Sequence, residues 1–317
     1  AFLAFRFLAG APIFLLCLLL YNFCAFALQM PLGLWADGLN RNGVVAASGC
    51  VLAAAACLVP VPLAAAGVAG TGNALFHLGG GIDVLNTSEK KAAALGVFVS
   101  PGAVGLYVGT LWGGGTVMST LLPPLGLLLL AGGILLLCRR TMGSFCSGNA
   151  PVETALAGGG WLALVPLFLV VVLRSWMGLG QSFPWKDQWG VVLVIALALG
   201  KAAGGFLMDA IGPRRAAGWS LGLAAVLYCF SGDPLPGLLA VLFFNMTMPM
   251  TLWAAARILP GAKGFGFGLL TFALFMGYLP VYLGWPAVFA QSWACAGAAA
   301  VSLAVLWWPL GRRELQC

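Results

Sequence analysis

Long apolar runs alternate along the whole chain with short polar or basic interruptions. The runs fall at about 12–35, 43–60, 62–85, 91–112, 116–138, 158–181, 188–209, 215–232, 235–257, 264–283 and 286–309. A helix crosses the bilayer core with about 20 apolar residues, and each run is of that order. The pattern predicts eleven full membrane-spanning helices. Residues 1–8, which open Ala1-Phe2-Leu3-Ala4-Phe5, are expected to be the tail of a preceding helix that begins upstream. They carry no basic stretch followed by a small-residue cleavage site, so they are not expected to act as a signal peptide.

Composition sharpens the picture. Of the 317 residues, 62% are apolar and 7% are charged, as 15 Lys and Arg with 8 Asp and Glu. A soluble domain carries roughly 25% charged residues. So few charges cannot cover a water-facing surface, which excludes a soluble enzyme, a nucleic-acid binder and a disordered scaffold. The net charge of +7 does not point to DNA, because the basic residues stand singly or in pairs between apolar runs. Eleven or twelve spans would use roughly 220–240 residues, which leaves no room for a second, soluble domain. Six of the nine cysteines, Cys17, Cys24, Cys50, Cys57, Cys229 and Cys295, lie inside apolar runs, and Cys138, Cys146 and Cys317 lie beside basic residues. No spacing resembles a metal site, and no disulfide is expected.

Charge asymmetry orients the spans. If the turn at 35–42 is cytoplasmic, alternation places 86–91, 139–157, 209–215, 257–264 and the C-terminus on the same side. Those segments hold Arg41, Lys90, Lys91, Arg139, Arg140, Arg214, Arg215, Arg257, Lys263, Arg312 and Arg313, which is 11 of the 15 basic residues. The opposite loops hold only Lys186. This is the positive-inside bias. The longest polar segment, 139–157, divides the chain into an N-terminal helical bundle (1–138) and a C-terminal one (158–317), joined by a cytoplasmic linker.

The two halves share a repeat. Gly33-Leu34-Trp35-Ala36-Asp37 is followed by Asn40-Arg41-Asn42, and Gly205-Phe206-Leu207-Met208-Asp209 by Gly212-Pro213-Arg214-Arg215. From Asp37 to Asp209 the step is 172 residues. These turns resemble the cytoplasmic loop signature of the major facilitator superfamily, Gly-x-x-x-Asp-Arg-x-Gly-Arg-Arg. The second copy keeps Gly205, Asp209, Gly212, Arg214 and Arg215 but has Ala210 after the Asp. The first keeps Gly33, Asp37 and Arg41, with Gly38 after the Asp and Asn40 where Gly is usual. The resemblance implies the fold of that superfamily, two pseudo-symmetric six-helix bundles, with the Asp and Arg residues in a gate-side charge network. On residue chemistry alone, a plain turn with a solvated Asp and basic anchors remains open. Gly96-Val97-Phe98-Val99-Ser100-Pro101-Gly102-Ala103-Val104-Gly105 is similar to the antiporter motif of the same superfamily, Gly-x-x-x-Gly-Pro-x-x-Gly-Gly, with Ser100 and Val104 each replacing a Gly. Gly96, Ser100 and Gly105 would let a neighbouring helix approach, and Pro101 would kink the span. That motif implies export; an ordinary small-residue packing face is the alternative. Asn73-Ala74-Leu75-Phe76-His77 resembles the corresponding helix of the fosmidomycin-resistance-like branch, although Leu78 stands where Pro is usual.

Polar residues inside the spans are the remaining candidates. Helical spacing puts Asn73, His77 and Gly81 on one face. The superfamily resemblance implies that this helix lines the central cavity, where His77, the only histidine, would carry a coupling proton or bind substrate. A His bonded to a neighbouring helix carbonyl is the plainer alternative. Asp83 is expected to pair with a basic anchor. Arg174 lies roughly 10 Å inside the outer end of its span, near enough to snorkel and equally placed to serve as a cavity cation. Lys201 is mid-span, in a functional or interhelical ion-pair role. Asn245, Thr247, Pro249 and Thr251 form a kinked, Met-rich and mildly polar segment, fit either for a substrate wall or for packing.

Together these features imply a secondary active transporter: a proton-coupled exporter of a neutral or anionic small molecule, working by alternating access. It would need no cofactor or metal and act as a monomer in a bacterial inner (plasma) membrane, with substrate, protons and the bilayer as its partners. No phosphate-binding loop is present to support ATP hydrolysis. A membrane-embedded enzyme would need clustered His, Asp or Glu, and the spans hold one His and no carboxylate pair. A non-transporting membrane protein is the other alternative.

Overall fold

The structure, a computed structural model, describes residues 3, 8, 12–88, 91–115, 120–141 and 160–312, the side chains of 139–141 excepted. Most of the 139–157 linker with Cys146, the stub apart from Leu3 and Leu8, and the side chains of Arg6, Lys90, Arg139, Arg140 and Arg313 lie outside the described residues.

Among the described residues the chain is helical, with no strand. Helix α1 (Phe14–Asn22), a π turn (Phe23–Ala27) and α2 (Gln29–Leu39) follow one another as one long rod. Next come α3 (Asn42–Ala55), extended by a 3-10 turn (Ala56–Leu58), and α4 (Pro62–Thr87). Then α5 (Ala93–Val99), α6 (Pro101–Gly114) and α7 (Leu122–Thr141) complete the first half of the sequence. The second half contains α8 (Trp161–Gly180), α9 (Lys186–Ile211), α10 (Pro213–Tyr228), α11 (Pro234–Asn245), α12 (Thr247–Ile258), α13 (Lys263–Tyr282) and α14 (Ser292–Trp307). Among the described residues, seven helical rods are long and apolar enough to cross a bilayer: Phe14–Leu39, Ala93–Gly114, Trp161–Gly180, Lys186–Ile211, Pro234–Ile258, Lys263–Tyr282 and Ser292–Gly311. Large apolar side chains stand on the outside, Leu129 78% and Leu137 68% exposed. That arrangement is stable only in lipid.

Prolines set the breaks within two of these rods. Pro101 has no N–H to offer the Val97 carbonyl, and α5 gives way to α6 at Ser100. Pro249 cannot bond the Asn245 carbonyl, and α11 gives way to α12 at Met246. Helix ends show the repeat. Asn40, with φ 50°, closes α2 and donates its N–H to Ala36 O at 3.0 Å. Gly212, with φ 85°, closes α9 and donates to Met208 O at 2.9 Å. Both turns require positive φ, and Asn is the side chain that tolerates it best after Gly, which explains the departure at Asn40.

The helices gather into two compact units. One contains Ala1–Thr87, Gly105–Asn149 and Gly261–Phe272; the other contains Ser88–Val104, Ala150–Pro260 and Ala273–Cys317. Each unit therefore includes a segment from the opposite half of the sequence. In the first, α3 lies along α4 at backbone contact. A Cβ on Gly49 would strike Phe76, and one on Gly79 would strike Asn42 and Ala46. In the second, α9 lies as close to the α11–α12 rod, with Gly200 against Leu242 O and Gly204 against Met246. Small residues let helices approach where no hydrophobic effect drives them together.

Candidate functional site

The two aspartates of the repeated turns each cap the start of another helix. Within the first unit, Asp37 accepts hydrogen bonds from Gly264 N at 2.8 Å and Phe265 N at 2.9 Å, in the first turn of α13. Within the second, Asp209 accepts from Ala92 N at 2.6 Å and Ala93 N at 3.0 Å, at the start of α5. First-turn N–H groups have no partner within their own helix and carry the positive end of its dipole, so a carboxylate is the group that suits them. The acceptors are related by the step from 37 to 209. The donors, from 92 to 264 and from 93 to 265, are related by the same 172 positions. The aspartate of each sequence half thus caps a helix of the other half.

The surrounding packing obeys the same step. A Cβ on Gly33 would fall on the Gly264 carbonyl, and one on Gly205 would fall on the Ala92 carbonyl. Gly96 in α5 sits on the carbonyls of Lys201 and Ala202, while Gly268 in α13 sits on Gln29 and Met30. Every one of these residues has its counterpart 172 positions away. Lys91 and Lys263, at the two capped helix starts, are counterparts too. Lys263 acts electrostatically on Asp37, and its Nζ donates to Asn86 Oδ1 at 2.9 Å. Reasoning from sequence missed Ala92, Ala93, Gln29, Asn86, Lys263, Gly264, Phe265 and Gly268. Extending the 172-residue step beyond the two turns would have found most of them.

The basic residues of the turns are placed differently. Arg41 and Arg215 are exposed. The Arg214 guanidinium lies 4.2 Å from the centroid of the Trp307 ring, a cation–π contact. Among the described residues Asp209 makes its bonds to backbone N–H groups. In the antiporter-like stretch, Gly96 makes the close approach just described. Ser100 Oγ donates to Ala198 O at 2.8 Å, Pro101 starts α6, and Gly105 has open space where a Cβ would point. So Gly96 and Ser100 bind α5 to α9, whereas Gly105 has no such neighbour.

Within the spans, Asn73 and His77 are half-buried on α4. His77 meets Phe76 edge-on at 5.4 Å, and Gly81, on the same face, is covered by the Phe267 ring. The side chain of Asn42, at the start of α3, lies beside Asp83. In the second unit, Arg174 is only 7% exposed, and its Nη1 lies 3.5 Å from Thr251 Oγ1. Lys201 is half-buried on α9 and lies within electrostatic range of Arg174. Asn245 packs against Gly200, one residue from Lys201, and its Nδ2 donates to Val241 O at 2.8 Å. Thr247 and Thr251 are buried, their hydroxyls turned back to Phe244 O and Met248 O. The structure thus brings Arg174, Lys201, Asn245 and Thr251 into one neighbourhood of three helical rods, and holds Asn73 and His77 in the other unit.

The sequence matches no family model and no curated protein. The fold does have solved counterparts. A structure of the E. coli fucose:proton symporter FucP is similar over 97% of this chain and 92% of that one, with TM-score 0.67 and 12% identity. A structure of FucP described as a major facilitator superfamily transporter in the outward conformation is similar over 96% and 92%, with TM-score 0.67 and 13% identity. This chain is an all-helical, multi-pass integral membrane protein with the fold of that transporter.

Proposed function

We propose that this chain is a secondary active transporter that moves a neutral or anionic small molecule out of the cell against proton entry, by alternating access. The observation that carries the proposal is the reciprocal pair of aspartate caps. Asp37 on the α13 start and Asp209 on the α5 start are bonds that one conformation makes and another must release. With their flanking Gly33 and Gly205, they act as a latch on the cytoplasmic side, assisted by the anchors Arg41, Arg214 and Arg215. The bundles 1–138 and 158–317 would be the moving parts, joined by the 139–157 linker, in a monomer of a bacterial inner membrane. No cofactor takes part.

The solved transporter of this fold named above, FucP, is a fucose:proton symporter. The opposite sense proposed here rests on the antiporter-like stretch around Gly96, Ser100 and Pro101, and the fosmidomycin-resistance-like branch on Asn73 to His77. His77 is the candidate proton site, with Asn73 beside it on α4. Its reference pKa near 6.5 suits a group that loads and unloads across the physiological range. The test uses the full chain in proteoliposomes with a pH-sensitive dye inside. An imposed substrate gradient should drive protons in the opposite direction, and His77→Ala should flatten the pH dependence between about pH 5 and 8. Protons moving with the substrate would make it a symporter, and unchanged pH dependence in the variant would remove His77 from the proton path.

A further inference from the structure

Two intramembrane cations of the second unit have no charge partner among the described residues. Arg174 is 7% exposed, yet its one hydrogen bond there is the long 3.5 Å approach to Thr251 Oγ1. That hydroxyl donates its proton to Met248 O at 3.0 Å and meets the guanidinium as an acceptor. A guanidinium has five N–H donors in a planar fork. Most of that capacity is therefore unspent in a place where water is scarce. Lys201 lies within electrostatic range of Arg174, so each cation raises the cost of the other.

The described carboxylates of the same unit do not relieve them. On α9, Asp187 stands 14 residues before Lys201, about 21 Å along the helix, and Asp209 stands 8 residues after it, about 12 Å. Asp209 is already occupied by the Ala92 and Ala93 N–H groups. Asp233 precedes α11, in the turn after α10. Nearby side chains are neutral: Thr251 on α12, and Asn245 packed against Gly200 beside Lys201. Like charges kept together in lipid without a counter-charge are destabilising, so a ligand that neutralises them would stabilise the fold.

We propose that Arg174 and Lys201 form the binding site for an oxyanion group, a carboxylate or a phosphate ester, on the transported molecule. Resting on the transporter assignment, this narrows the substrate from neutral or anionic to anionic. The guanidinium fork takes two oxygens at once, and the ammonium supplies a second positive charge from the neighbouring rod. A dianion matches the site better than a monoanion, because it neutralises both cations.

The test compares the purified full chain with Arg174→Met and Lys201→Met, and with Lys186→Met as a control outside the site. Succinate and glycerol 3-phosphate are the probes, with glucose and tetraethylammonium alongside, and thermal unfolding in detergent is the readout. Both variants should unfold at a higher temperature than the native chain, because removing either cation relieves the other. At least one of the two anions should raise the native unfolding temperature, and neither should raise that of either variant. The anion that acts separates a carboxylate site from a phosphate site. Variants that unfold at a lower temperature would make the cations structural and overturn the proposal. So would stabilisation by neither anion, or equal stabilisation in native chain and variants. Proteoliposome flux separates this from the transporter assignment. Anion binding without proton-coupled flux sinks only that assignment, and flux of cations indifferent to Arg174→Met sinks only the site.

Discussion

Deleting the two aspartate caps one at a time gives the sharpest test of the latch. In Asp37→Ala, the Gly264 and Phe265 N–H groups lose acceptors at 2.8 and 2.9 Å. In Asp209→Ala, Ala92 and Ala93 lose acceptors at 2.6 and 3.0 Å. A side-chain cap contributes about 0.5–2 kcal/mol, and the attraction of a carboxylate to the helix dipole about 0.3–1 kcal/mol more. Asp37 is half-buried and Asp209 exposed, so water replaces part of both, and the loss at each should be about 1–2 kcal/mol. That is a factor of about 5–30 in an opening equilibrium. Hydrogen exchange reads it directly. Amides at 264–265 should exchange about 5- to 30-fold faster in Asp37→Ala, with 92–93 unchanged, and the reverse should hold in Asp209→Ala. Asp→Asn keeps one carbonyl oxygen and should show a smaller effect in each case, with slowed transport in a protein that is still folded and inserted. Unchanged exchange at the facing helix start would refute the cap, and a uniform rise across all helices would show general destabilisation instead of release of a latch.

Two further outcomes follow from the packing and the topology. Gly33→Leu and Gly205→Leu place side chains where even a Cβ meets the Gly264 or Ala92 backbone. Each should lower stability by about 1–3 kcal/mol, while Gly102→Leu, which points into open space, should unfold at the native temperature; equal losses at all three positions would contradict the close approach. Cys146 in the linker should resist an impermeant thiol reagent in intact cells and react in inverted vesicles, and labelling from outside would invert the assigned topology.

Apolar runs of membrane length, the one-sided placement of Arg and Lys, and the Gly-x-x-x-Asp repeat were legible in the sequence because each depends on local composition. A helix in lipid must satisfy its own backbone, so hydropathy alone determines where one can form. The 172-residue step was equally visible at Asp37 and Asp209, and proline positions marked the breaks before Pro101 and Pro249. What binds the aspartates was not legible. The resemblance pointed toward a network of Asp and Arg, and the tertiary structure shows backbone N–H groups of α13 and α5 bound to the aspartates. A backbone donor leaves no residue type to recognise, and its partner lies 227 residues away for Asp37 and 117 for Asp209. Likewise, Arg174 and Lys201 stand on separate helices as lone charges in the sequence. Their joint placement, without a carboxylate among the described residues, follows from how α8, α9 and the α11–α12 rod pack, through glycines whose role is set by what lies opposite them.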